Sequence, residues 1–193
     1  VQTCALPISG DTLQKPPAAG GGNIVAAGYT RPDGITPITD TDGKQMFSDC
    51  VDGQSLIKLA KPSVPGVEGN TLFLVTQYEY KSVNLAGAAI YGTLPCPISI
   101  ATLSQNPQTG ALSVKYLYPL PTQAVHGLWT TCAGSLSPWN THLSSEEYEP
   151  NAFTAATDAQ FKAFSKNLYG SETAANPYNY GDLPEVTVNP DGT

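Results

Sequence analysis

Within CAGSLSPWNTHLSSEE, a thiol at Cys132 is followed by two adjacent carboxylates, Glu146 and Glu147. A thiolate is a soft ligand that suits iron or zinc, and carboxylates are hard oxygen ligands that suit calcium. Set among Gly/Ser turns and a Pro138–Trp139 pair, these residues suit a site that combines a transition metal with calcium. Each also has an ordinary reading. By residue type alone, Cys132 reads first as a small buried hydrophobe or half of a disulfide. The Glu pair, with Glu149 two residues on, reads as a solvated edge. Successive side chains of a strand point to opposite faces, so Glu146 and Glu147 serve one ion only at a bend or a strand end. Glu79 is the fourth metal candidate, late in the apolar run TLFLVTQYEY (Thr71–Tyr80). A carboxylate is costly to bury unpaired, so Glu79 lies at the wet end of that strand or binds a cation. Trp139 reads as a packing anchor rather than a substrate platform, and His142 faces either the site or solvent.

Other chemistries fit poorly. His126 and His142 are not in an HExxH arrangement, which argues against zinc-protease chemistry. Ala133–Ser137 (AGSLS) is not the GxSxG of a nucleophile elbow. No GxxxxGK[ST] occurs. In TDTDGKQMFSD (Thr39–Asp49), Asp40 and Asp42 fit positions 3 and 5 of a calcium loop, but Ile38 falls at position 1, where an oxygen is required. That stretch reads as a turn. Sixteen acidic and nine basic residues give a net charge of −7, which leaves no basic footprint for nucleic acid. No run of 18 apolar residues exists to span a membrane.

The elements that must position these residues are mostly strands. Only 13% of residues are charged, whereas Gly, Pro and Tyr number 18, 17 and 10, a balance that disfavours a helical bundle and favours a turn-rich, all-β chain. The lead-in, residues 9–23, is Gly/Pro-rich and reads as irregular. Strand-like texture follows at Ile24–Thr30 and Leu56–Leu59, and the clearest strand is Thr71–Tyr80. Ile98–Leu103 and Ala111–Leu117 alternate around an Asn-Pro and Gly loop and predict a hairpin. One helix is predicted over Asp158–Tyr169. Thr157 and Gln160 form its expected capping box, Phe161, Phe164 and Leu168 its apolar stripe, and Gly170 its stop. A short strand at Leu183–Val188 runs into an Asn-Pro-Asp-Gly turn. Four-stranded antiparallel units suggest propeller blades or sandwich sheets, but no repeat carries a blade signature.

His126–Phe153 resembles the signature segment of the PhoX-like family of exported bacterial proteins, roughly N-C-A/S-G-G-x-T-P-W-G-T-x-L-x-x-E-E. Cys132, Ala133, Gly134, Pro138, Trp139, Thr141, Leu143, Glu146 and Glu147 match in register. Ser135, Ser137, Asn140 and Ser144–Ser145 depart from it. Leu74–Tyr80 is similar to the family's V-N-H-E-Y strand, with Gln77–Tyr78 in place of Asn-His. The resemblance implies an all-β fold, about two blades of a larger β-propeller with one short inserted helix. It implies a metal-dependent phosphomonoesterase, acting on small phosphoesters at an iron–calcium centre. Cys132 would be an iron ligand, Glu146 or Glu147 a calcium or bridging ligand, and Glu79 a further candidate. It implies a periplasmic or extracellular location and a monomer when full length. Loss of Gly at 135 and 140 motivates one alternative, a non-catalytic exported calcium-binding propeller module; a propeller hydrolase such as a lactonase is a further one, since fold resemblance does not settle chemistry. Val1–Ile8 (VQTCALPI) resembles the translation of a sequencing adapter. Residues 24–193 are therefore expected to be a propeller fragment truncated at both ends, inactive alone. Setting Cys4 aside leaves Cys50, Cys96 and Cys132, an odd number, with a Cys50–Cys96 disulfide open if the protein is exported.

Overall fold

The computed structural model describes residues 9–193; the adapter-like Val1–Ile8, with Cys4, lie outside the described residues. The described residues are mostly β, with three antiparallel sheets and one α-helix. Strands β1 (Thr12–Gln14) and β2 (Asn23–Val25) form a hairpin, so the lead-in expected to be irregular is paired at Thr12–Gln14 and Asn23. Gly20, Gly21 and Gly22 all take positive φ and turn the chain between them, which few other residues do at low cost. Strands β3 (Val51–Ile57), β4 (Asn70–Tyr78), β5 (Ile98–Gln105) and β6 (Leu112–Pro119) make a four-stranded sheet in chain order. The third sheet has the order β7 (Thr131–Leu136), β8 (His142–Glu146), β9 (Glu185–Val186), with helix α1 (Ala159–Tyr169) between β8 and β9 in the chain.

The near-continuous apolar texture of β4 and β5 follows from burial on both sheet faces. On one face Phe73 and Val75 stand with Ile57, Ile98 and Ile100, packed against Val186 and Val188. On the other face Leu72, Ala101, Leu103 and Leu117 pack against Ala26, Leu13 and Ile24 of the first hairpin region. Phe73 is fully buried, so truncation to Ala would cost about 3–5 kcal/mol. By the same period of two, Ser55 and Gln77 share the Phe73 face and point towards the third sheet.

The helix carries the predicted stripe: Phe161, Phe164 and Leu168 are buried. Its cap differs from expectation. The Asp158 carboxylate, not the Thr157 hydroxyl, accepts from the Phe161 N–H at 2.7 Å. Gln160 instead donates to the Tyr91 carbonyl at 2.9 Å, so no capping box forms. Gly170 ends the helix in the left-handed region at φ 78°. The anchor of this layer is Trp129. Its ring contacts Phe161, Phe164, Tyr148 and Tyr180, and its Nε1–H donates to the Gly92 carbonyl at 2.7 Å. Trp139, expected in that role, is 64% exposed, with its indole N–H on the Glu185 carboxylate. Among the described residues, no helix is long and apolar enough to cross a membrane.

Candidate metal centre at the seam of two sheets

The first strands of the two larger sheets, β3 and β7, run beside one another. Each carries one extra residue against its partner. On β3 the register slips between Val51 and Gln54, and on β7 between Thr131 and Gly134. Such bulges bend a strand and re-aim its side chains. Here they fall at Asp52–Gly53 and at Cys132–Ala133, facing each other across the seam. The approach is close enough to require glycine. A Cβ on Gly134 would lie 2.7 Å from His142 Cε1, and one on Gly53 would run into the Gly134 backbone. Both substitutions are predicted to push the sheets apart.

Around these bulges lies a cluster of thiols and carboxylates. Cys132, Asp52, Glu79 and Cys50 are half-buried, and Glu147 is exposed. Cys50 Sγ sits 3.5 Å from Glu79 Oε2. Burial pushes the Cys132 thiol pKa up, and the charges of Asp52 and Glu79, a hydrogen bond with Asp52 and the charge of Glu147 push it further. Burial likewise raises Glu79, and the charges of Asp52 and Glu147 add to it, while a hydrogen bond from Cys50 opposes. Cys132 and Glu79 therefore both resist carrying negative charge. A bound cation would reverse that balance.

The sequence candidates divide. Glu79 follows the last residue of β4 and is half-buried. Cys132 and Glu79 belong to the same electrostatic cluster, and the charge of Glu147 acts on both from beyond the end of β8, where its Oε2 accepts from the Tyr91 hydroxyl at 3.2 Å. Glu146 points the other way. It is 7% exposed, and both its oxygens are taken by backbone donors. Trp129 N–H donates to Oε1 at 2.5 Å, and Gly181 and Asp182 N–H donate to Oε2 at 2.5 and 3.1 Å. Burial raises its pKa, opposed by those same bonds. The kink that sets this up is Thr130, a β-branched residue at φ 53°. It costs about 1–3 kcal/mol of strain. It leaves the Trp129 N–H on Glu146 and the Thr130 carbonyl on the Glu147 N–H at 2.8 Å.

Sequence reading missed Asp52 and Cys50. Their signal was faint: a Cys-Val-Asp-Gly string whose Gly marks a bulge only once the partner strand is known. All three described cysteines are free, and the Cys50 and Cys96 thiols both turn to Glu79, one to its carboxylate and one to its carbonyl. The Thr39–Asp49 stretch is a turn, closed by Gly43 N–H on the Asp40 carbonyl.

The donor types fit iron and calcium, but the donors stand in pairs. Among the described residues, no group of three or more His, Cys, Asp and Glu side chains is placed to hold a metal ion. Compared with known proteins, the chain matches no family model, no curated protein and no solved structure.

Proposed function

We propose that this chain forms part of an exported, PhoX-like, metal-dependent phosphomonoesterase, with its sheets as blades of a β-propeller. The observation that carries the reading is the setting of Cys132. The bulge in β7 places Cys132 in a cluster where burial first, and then the charges of Asp52, Glu79 and Glu147, disfavour the thiolate, a balance that a bound cation would reverse. The architecture supports it: a four-stranded antiparallel meander lies with its first strand beside the first strand of the next sheet, the arrangement of successive propeller blades. The departures from the family pattern are mild. Asn140 sits at φ 69°, where Asn is the best-tolerated replacement for Gly, and Ser135 pairs in β7 opposite Leu143.

In this reading Cys132 and Glu79 hold the metal from the seam, Glu147 approaches from the end of β8, and Asp52 and Cys50 complete the wall. Glu146 organises the backbone behind that wall. Bound iron and calcium would neutralise phosphate oxygens and position the attacking oxygen. The ligands that convert pairs into a full set come from elsewhere in the propeller, so turnover belongs to the closed ring.

Calcium and iron binding, titrated on the intact protein and on its Cys132→Ala and Glu79→Gln variants, tests the first half. Wild type binds and both variants weaken. Binding of neither ion by wild type overturns the proposal. Hydrolysis of p-nitrophenyl phosphate by the intact protein, abolished by chelation and by Cys132→Ala, tests the second half. Bound metal without turnover points to the non-catalytic module, and calcium without iron plus lactone turnover to a lactonase.

A further inference from the structure

Behind Cys132 lies a buried polar chain whose direction is set by its end. The bulge in β7 turns the Cys132 carbonyl away from the β8 ladder, and the Gln77 side-chain amide takes it. A carbonyl only accepts, so the amide nitrogen faces Cys132 and Gln77 Oε1 faces His142 Nε2, 3.1 Å away. That oxygen in turn only accepts. The imidazole proton is therefore on Nε2, and Nδ1 accepts the Ser55 hydroxyl at 2.8 Å. Proton donation runs one way: Ser55 to His142 to Gln77 to Cys132. Its three side chains are almost completely buried, at 3%, 0% and 0% exposure. They come from β3, β8 and β4 and end on β7, so the chain ties both sheets together at the seam. The glycines make room for it. A Cβ on Gly53 would crowd Gln77 Cδ at 2.9 Å, as one on Gly134 would crowd the imidazole. Burial also keeps the ring neutral, lowering its pKa.

We propose that His142 and Gln77 are positioning residues for Cys132, fixing its bulged backbone so that the thiol faces Asp52 and Glu79. The role rests on reading Cys132 as the metal-facing thiol, but its geometry is testable without metal.

The test uses the metal-free chain. Each cysteine's alkylation by iodoacetamide is followed by peptide mass spectrometry, with Cys50 and Cys96 as internal controls. Gln77→Met removes the donor to Cys132 without adding charge. It is expected to change the Cys132 rate about fivefold, the worth of one neutral hydrogen bond, and leave Cys50 and Cys96 unchanged. Equal acceleration at all three cysteines marks general loosening and overturns the proposal, as does an unchanged Cys132 rate. Should Gln77→Met fail to fold, Ser55→Ala, which removes only the far donor, is expected to change the Cys132 rate alone, by a smaller factor. An unchanged Cys132 rate there also overturns the proposal. Independently, ¹⁵N shifts of His142 at neutral pH should report the Nε2–H tautomer, and an Nδ1–H ring refutes the chain. If these results hold while wild type binds neither iron nor calcium, the metal reading fails and the positioning of Cys132 stands.

Discussion

Glu146→Gln separates a structural carboxylate from a metal ligand. Its two oxygens accept three backbone N–H groups, one on Oε1 and two on Oε2. Glutamine has one oxygen. The less costly orientation keeps it opposite Gly181 and Asp182 and turns the NH2 group onto the Trp129 N–H. That buried donor then loses its acceptor, at a cost of about 1–3 kcal/mol. The two surviving bonds change from charge-assisted to neutral, losing about 1 kcal/mol each. Relief of the buried charge returns part of that loss. The net loss is about 3 kcal/mol, a fall in Tm of roughly 6–12 °C for a chain of this size. Urea unfolding at pH 7.5 with chelator present measures it. Glu147→Gln, on an exposed side chain, is the control and should stay within about 0.5 kcal/mol. A Glu146→Gln loss below about 1 kcal/mol, or one that appears only with calcium added, would refute the reasoning.

Three further outcomes are expected. His142, held neutral by burial, has a folded pKa below its ordinary 6.5, so the unfolded state binds more protons under acid. Its contribution is intact above 6.5, begins to fall below that value, and is lost once the pH passes the folded pKa, with a limiting slope of about 1.4 kcal/mol per pH unit. Glu146, raised by burial, acts with the opposite sign nearer its ordinary 4.5. Comparing urea unfolding of wild type and His142→Gln from pH 7.5 to 5 isolates the histidine, and equal slopes would contradict its buried neutral state. Asp52→Asn removes a charge and a hydrogen bond that hold the Cys132 thiol up, so the midpoint of its alkylation–pH profile should move down, and a fixed midpoint would detach Asp52 from the cluster. Asn140→Ala should cost about 1–2 kcal/mol in thermal unfolding, from left-handed strain and the lost bond to the Lys58 carbonyl, and Asn140→Gly less than half of that.

Local physics was enough to read much of the fold from the chain. The β5–β6 hairpin shows in alternation on either side of a turn, and α1 in a 3.6-residue stripe closed by Gly170. The strand at Thr71–Tyr80 shows because a doubly buried strand has no polar face to hide it. The capping choice between Thr157 and Asp158 was less legible, since either side chain can reach a first-turn N–H. The roles of Trp129 and Trp139 were not legible at all. Each indole's burial depends on what α1 and β9 bring to it, and both arrive from more than 25 residues downstream of Trp129.

By itself, the sequence determined the ligand chemistry on offer, the β-rich class and the alternation that sends Glu146 and Glu147 to opposite sides. Periodicity and residue type are local, and they survive without knowledge of partners. Tertiary structure alone decided which side of β8 is buried, and so which glutamate serves the backbone and which stays exposed. It alone paired the bulge at Asp52–Gly53 with that at Cys132–Ala133, because register is a property of two strands. The Ser55–His142–Gln77 chain follows from the same pairing: its residues lie up to 87 positions apart and become neighbours only where two glycines let the sheets touch.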